Sequence, residues 1–152
     1  MNDAIQERSC WSMLLKKAEE KLELIQLELV QTQQRLSQLE ASRQRLQTMY
    51  EGYSAQSSQL GQAKLGMSHS LMMRQFMSQL QSLIKRVDTD TQHTLNLRAA
   101  LHEKMAECEK ERIKMSTLAE RSKAESLAQA RQRELNQMNE WATLQFNRNK
   151  AA

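Results

Sequence analysis

Residues 15–53 read LKKAEEKLELIQLELVQTQQRLSQLEASRQRLQTMYEGY, and their apolar side chains return every three or four positions. The row is Leu15, Ala18, Leu22, Ile25, Leu29, then Thr32, Leu36, Leu39, then Arg43, Leu46, Tyr50 and Tyr53. A heptad sustained for more than five repeats, with its first and fourth positions mostly apolar, predicts a coiled-coil helix. Leu14, Leu24, Leu27 and Val30 widen the stripe on one side, which points to contacts beyond a strict two-helix seam.

Downstream, residues 54–68 read SAQSSQLGQAKLGMS, and all three glycines of the chain, Gly52, Gly61 and Gly66, lie in or beside this stretch. Glycine and serine disfavour helix, so the turn is expected here. A second heptad series follows: Met73, Phe76, Leu80, Leu83, Val87, then Asp90, Thr94, Leu97, Leu101, Lys104, Cys108, Glu111, Met115 and Leu118. The predicted fold is all-α, a long antiparallel two-helix coiled-coil hairpin. It forms one coiled-coil domain over 1–152, with helices at about 4–57 and 69–146, a turn at about 58–68 and a frayed C-terminus. A turn that brings Tyr53 near Ser70 pairs residues whose numbers add to about 123, so that Leu22 lies near Leu101 and Ile5 near Leu118. Past Ser122 the apolar phase changes to Ala128, Leu135, Met138 and Ala142. The first helix runs out at the same place, so residues beyond about 122 are expected to overhang and face another partner. At about 1.5 Å per residue the paired part would be on the order of 80 Å long, with roughly 35 Å of single helix.

Composition agrees with a thin seam and argues against a thick core. Aromatics are 4% of 152 residues and there is no proline. Large aromatics supply much of a globular core's buried area, and this bias with helical periodicity marks a long helix or coiled coil. The net charge of +4 is uneven: residues 1–57 carry −1 and residues 58–152 carry +5. A basic half could meet an acidic protein surface, nucleic acid or anionic lipid. Acidic residues interleave, however, as in Glu107, Glu109, Lys110, Glu111 and Arg112, and no Lys/Arg run resembles a nucleic-acid arm. A basic amphipathic helix over 112–133 could lie on lipid, but Glu120 and Glu125 interrupt it and its apolar face lacks aromatic anchors. Partner-helix packing is the better expectation.

No stretch approaches 18 apolar residues, so no membrane-spanning helix is expected. Residues 1–8 include Asp3 and Glu7 and lack the apolar region of a secretory leader. A location inside the cell follows as an expectation, with Cys10 and Cys108 reduced and Cys108 a structural thiol on the seam. Catalysis finds no footing. His69, His93 and His102 are dispersed without ligand spacing, the cysteines form no pair motif, and neither Gly61 nor Gly66 opens a phosphate loop. The chain is therefore expected to bind proteins, with no enzymatic activity, cofactor or metal.

Around the turn, Leu46 and Tyr53 precede it and Phe76, Leu80, Leu83 and Val87 follow it. Near the C-terminus stand Arg131, Arg133 and Glu134, then Asn139, Glu140, Trp141 and Ala142. On these residues the chain resembles the FliJ family, the small coiled-coil component of the bacterial flagellar type III export apparatus. The resemblance spans nearly the whole chain. It departs at Met49, where many members carry a second tyrosine and this chain has Tyr50 one residue along, and at Ser42, where glutamine is usual. It implies a cytoplasmic stalk protein, peripherally associated with the inner-membrane export apparatus and a monomer when alone. Its implied partners are the hexameric export ATPase, the cytoplasmic domain of the export gate and export chaperones. The residues singled out for partner contacts are Leu46, Tyr50, Tyr53, Phe76, Leu80 and Leu83 near the turn, and Trp11, Arg131, Arg133, Met138 and Trp141 toward the ends. Several have a plainer alternative: Phe76 and Leu80 as seam packing, Tyr50 and Tyr53 as closure of the hairpin tip, Arg131 and Arg133 as solvated charge. Competing assignments are the equivalent stalk of a virulence secretion system and a generic coiled-coil scaffold.

Overall fold

The structure, a computed structural model, describes residues 2–60 and 66–151, with side chains described at 10–59 and 66–151. Two helices account for nearly all of it: α1 (Asn2–Leu60) and α2 (Met67–Lys150). The absence of proline leaves nothing to break either helix. At the start of α2 the Gly66 carbonyl accepts from the amides of His69 at 3.1 Å and Ser70 at 3.4 Å. At its end, Arg148 and Lys150 complement the negative end of the helix dipole. The expected turn narrows to the segment between Leu60 and Met67, of which residues 61–65 lie outside the described residues, as does the side chain of Ile5. Helix continues to Lys150, four residues past the predicted end.

The helices pack antiparallel as a hairpin, and the chain divides into two compact units. A loop unit comprises residues 24–105, and a terminal unit comprises 1–23 with 106–152. In the loop unit three polar pairs fix the register. Arg43 Nε donates to Asp88 Oδ1 at 2.6 Å, Gln81 Nε2 to Tyr50 Oη at 2.9 Å, and Arg98 Nη1 to Gln33 Oε1 at 3.3 Å. The residue numbers of each pair add to 131, against the expected 123. These flanking pairs exceed the expected sum by eight, and the seam layers, such as Leu22 with Cys108, add to 130, seven more than the expected Leu22 with Leu101, so the registers differ by one heptad. A slip of one heptad keeps every seam position facing the seam, so the apolar pattern could not choose between them.

The α1 seam is the predicted one. Ala18, Leu22, Thr32 and Leu36 are buried, and Leu15, Ile25, Leu29, Leu39, Leu46, Tyr50 and Tyr53 are half-buried. Arg43 departs from it: the inward position is Ser42, and Arg43 reaches out to Asp88. On α2 the seam runs Met73, Met77, Leu80, Ile84, Val87, Thr91, Thr94, Arg98, Leu101, Met105, Cys108, Arg112, Met115, Ala119, Ser122 and Ser126, a regular alternation of four- and three-residue steps. Half of the predicted positions belong to it. The other half are displaced by one residue, and Leu83, Leu97, Lys104 and Glu111 are exposed, as is Phe76 more narrowly. The physical reason is that antiparallel helices share their layers. A three-residue step on α1, such as Leu22 to Ile25, must face a three-residue step on α2, here Cys108 to Met105.

Thr32, Thr91 and Thr94 sit in the seam without orphaned hydroxyls, because each donates to the carbonyl four residues earlier, at 2.7, 2.8 and 2.7 Å. The terminal unit's seam ends at Ser126, the last residue of α2 that is not fully exposed. The overhang therefore begins at Leu127, about five residues later than the sequence pattern indicated.

Candidate partner-binding surfaces

Two surfaces, one in each unit, present apolar side chains to solvent. In the loop unit the rings of Tyr53 and Phe76 meet edge to face, with centroids 4.8 Å apart and planes at 71°. The pair closes one side of a hollow of about 480 Å³, lined also by His69, Met72, Met73 and the amides of Gln56, Gln75 and Gln79. Methionine is flexible and polarizable and accommodates varied partner shapes. Met67, Leu71 and Met72 stand out beside it, each at least 60% exposed. This is an apolar patch rimmed by amides and short of charge, the composition of an interface centre.

The predicted residues of this region separate into two groups. Leu80 is 3% exposed and is a seam residue, and Leu46 is half-buried in the same seam. Tyr50 is held by its bond from Gln81. Tyr53, Phe76 and Leu83 present surface, with Leu83 turned out because the α2 seam uses Ile84 instead. Met72, Met73 and His69 were missed. The signal was present in the cluster of Met67, Met72, Met73 and Met77 around a lone phenylalanine.

In the terminal unit, residues 127–150 of α2 are exposed throughout and carry Leu127, Leu135, Met138, Trp141, Leu144 and Phe146, each more than half exposed. At about 100° per residue, all but Leu144 fall with Ala142 on one stripe about 140° wide. Continuing the seam past Ser126 gives Gln129, Arg133, Asn136, Glu140 and Thr143, all polar. The apolar face thus moves to another side of the helix as α1 gives out. Met138, Trp141 and Ala142 form the floor of a shallow hollow of about 600 Å³, bordered by Glu134, Gln137 and Gln145. Arg131 lies within the stripe. Arg133, two residues on, projects to the far side, so the two do not form one cationic patch. Neither joins an ion pair among the described residues. Trp11, also predicted as a contact, is half-buried in this unit. Leu127 and Phe146 were missed, although both keep helical spacing with Leu135, Met138 and Ala142.

The perturbed titrations are local. Arg112 is raised by the hydrogen bond from its side chain to Glu109, then by that carboxylate's charge, and in smaller part by Glu19 across the seam. Glu109 is lowered by the same bond. No group of three or more His, Cys, Asp or Glu side chains that could hold a metal occurs among the described residues, and none of the described helices is long and apolar enough to cross a membrane.

A two-helix antiparallel hairpin with exposed apolar stripes and open, shallow hollows places the chain in the class of helical coiled-coil proteins. Residues 11–151 match the model of the flagellar FliJ protein family, which covers nearly the whole chain, and the chain belongs to that family. No curated protein and no solved structure matches it. Membership makes the chain a component of the flagellar export apparatus.

Proposed function

We propose that this chain is the coupling component of the export apparatus, taking the hexameric export ATPase with the α2 extension and the cytoplasmic domain of the export gate with the loop-unit patch. The observation that carries this reading is the extension, whose 24 residues, 127–150, are all exposed yet bear six large apolar side chains. A single exposed helix keeps such a stripe at a cost in solubility unless a partner covers it. Trp141 and Met138 would anchor the contact, since large flexible or aromatic side chains on a concave floor concentrate binding energy. Arg131 would meet acidic groups at the rim. At the loop unit, Tyr53, Phe76 and Leu83 would meet the gate, while Leu46, Tyr50 and Leu80 hold the helices beneath them. Export chaperones are a third class of partner, with no residues assigned. Association with the inner membrane would be indirect, through the gate.

The test is binding of purified chain to the export ATPase, in the presence of an ATP analogue, against a truncation ending at Ser126 and the variant Trp141→Ala. Loss of ATPase binding in the truncation, with gate binding kept, is the expected result. Truncated chain that binds the ATPase as well as the full chain would remove the extension from the contact. A homodimer that binds neither partner would favour a scaffold.

A further inference from the structure

The two units are held together by different means. All described cross-helix ties, namely Arg43–Asp88, Tyr50–Gln81, Gln33–Arg98 and the Tyr53–Phe76 ring pair, lie between residues 33 and 98. The terminal unit has no cross-helix hydrogen bond or ion pair among its described residues, only the weaker charge attraction of Glu19 for Arg112. The ion pair among its described residues, Glu109 with Arg112, lies within α2. The seam differs as well. In the terminal unit α1 turns inward Trp11, Leu15, Ala18 and Leu22, and α2 turns inward Ala119, Met115, Arg112 and Cys108, which the register places in the same layers. Only one of these layers, Leu15 with Met115, sets two large aliphatic side chains against each other. Below it, Ser122 and Ser126 continue the α2 side. No α2 residue past Leu101 is buried. In the loop unit, in contrast, the register set by the polar pairs brings Leu46 level with Ile84, Tyr50 with Leu80 and Leu29 with Leu101, so that large side chains share each layer.

We propose that the hairpin is a graded zipper whose terminal unit opens as one piece, α1 up to about Leu22 parting from α2 residues 106–126, while the loop unit stays closed. Stability within a fold is distributed, and segments with few buried contacts open at low free energy. An isolated helix is marginal in water. Once parted, both strands of the terminal unit lose protection together. Arg112 is the weak layer: a cation in a seam position at the level of Ala18, hydrogen-bonded within its own helix to Glu109 and drawn to α1 only by the charge of Glu19. Opening exposes the Trp11–Leu15–Leu22 face of α1 beside the extension, without unfolding the loop-unit patch.

Hydrogen exchange on the full-length chain tests this. Amides of 10–22 and of 106–126 should exchange together, about tenfold or more ahead of 36–50 and 80–101. The decisive segment is 106–126, which lies more than 20 residues from either end of α2 and is beyond ordinary end fraying. Arg112→Leu, which sets an aliphatic side chain against Ala18, should slow exchange in both terminal segments and leave 36–50 unchanged. Protection of 106–126 equal to that of 80–101 would overturn the proposal, as would an Arg112→Leu chain whose terminal segments exchange as before.

Discussion

The guanidinium of Arg43 on α1 lies 2.6 Å from the carboxylate of Asp88 on α2, and this contact exists in only one register of the hairpin. Slip α2 by one heptad and Arg43 faces Gln81 or Leu95 instead, while every seam residue still faces the seam. The pair is about half exposed on both sides, so it contributes little energy. Its value is in selecting among registers that the apolar seam treats alike. Its partner also holds the Arg43 pKa above its ordinary value, by hydrogen bonding first and charge second.

Asp88→Asn should therefore lower Tm only slightly, and the loss should shrink as salt is raised from low to molar concentration. A double-mutant cycle with Arg43→Gln, followed by thermal melting, measures the coupling. A large, salt-independent loss would show that the pair does more than select register.

The α2 seam frame predicts opposite outcomes for two leucines three residues apart. Leu80 is 3% exposed and Leu83 is 44% exposed. Leu80→Ala should destabilise by about 2 kcal/mol or more, and Leu83→Ala by about 0.5 kcal/mol or less. Urea unfolding followed by circular dichroism compares them, and reversed magnitudes would mean that α2 is rotated about its axis.

Gly52 lies inside α1 with nothing within 4 Å of where a Cβ would project. Gly52→Ala restricts the unfolded chain and improves helix propensity at no steric cost. A gain of roughly 0.5–1 kcal/mol is expected, read as a higher urea midpoint at unchanged m-value.

The Glu109 pKa is lowered chiefly by its hydrogen bond from Arg112, which outweighs an opposing effect of desolvation, with that cation's charge adding the smallest part. A depressed carboxylate stabilises the fold above its unfolded value of 4.5, and the contribution disappears as pH falls through the folded value below that. The Tm difference between the parent and Glu109→Gln should thus be present at pH 7 and vanish as pH is taken toward 3. A difference independent of pH would assign the effect to packing.

Much of the fold was legible in α1. Leu15 through Leu39 needed no tertiary information, because their three- and four-residue steps admit one inward face. On α2, apolar residues occupy both candidate frames at Phe76 and Met77 and again at Leu83 and Ile84, so hydrophobicity could not choose. The matching of steps across antiparallel layers could have chosen, since Leu22 to Ile25 requires Cys108 to Met105. The loop-unit surface was partly visible through Tyr53 and Phe76, while Leu80, read as either contact or seam, is 3% exposed and takes the seam alternative. The overhang was visible as a phase change, and its start moved to Leu127 because the true register carries α1 farther along α2.

By itself the sequence determined that the chain is helical, that it folds back once near its glycines, and that its C-terminal helix outruns its partner. These follow from composition and local periodicity, which a single chain carries in full. The tertiary structure decided the register and the rotation of α2, and with them which residues are seam and which are surface. A heptad repeat is unchanged by a slip of seven residues, so that choice falls to the length of the turn and to a few cross-helix contacts such as Arg43 with Asp88, which no periodicity encodes.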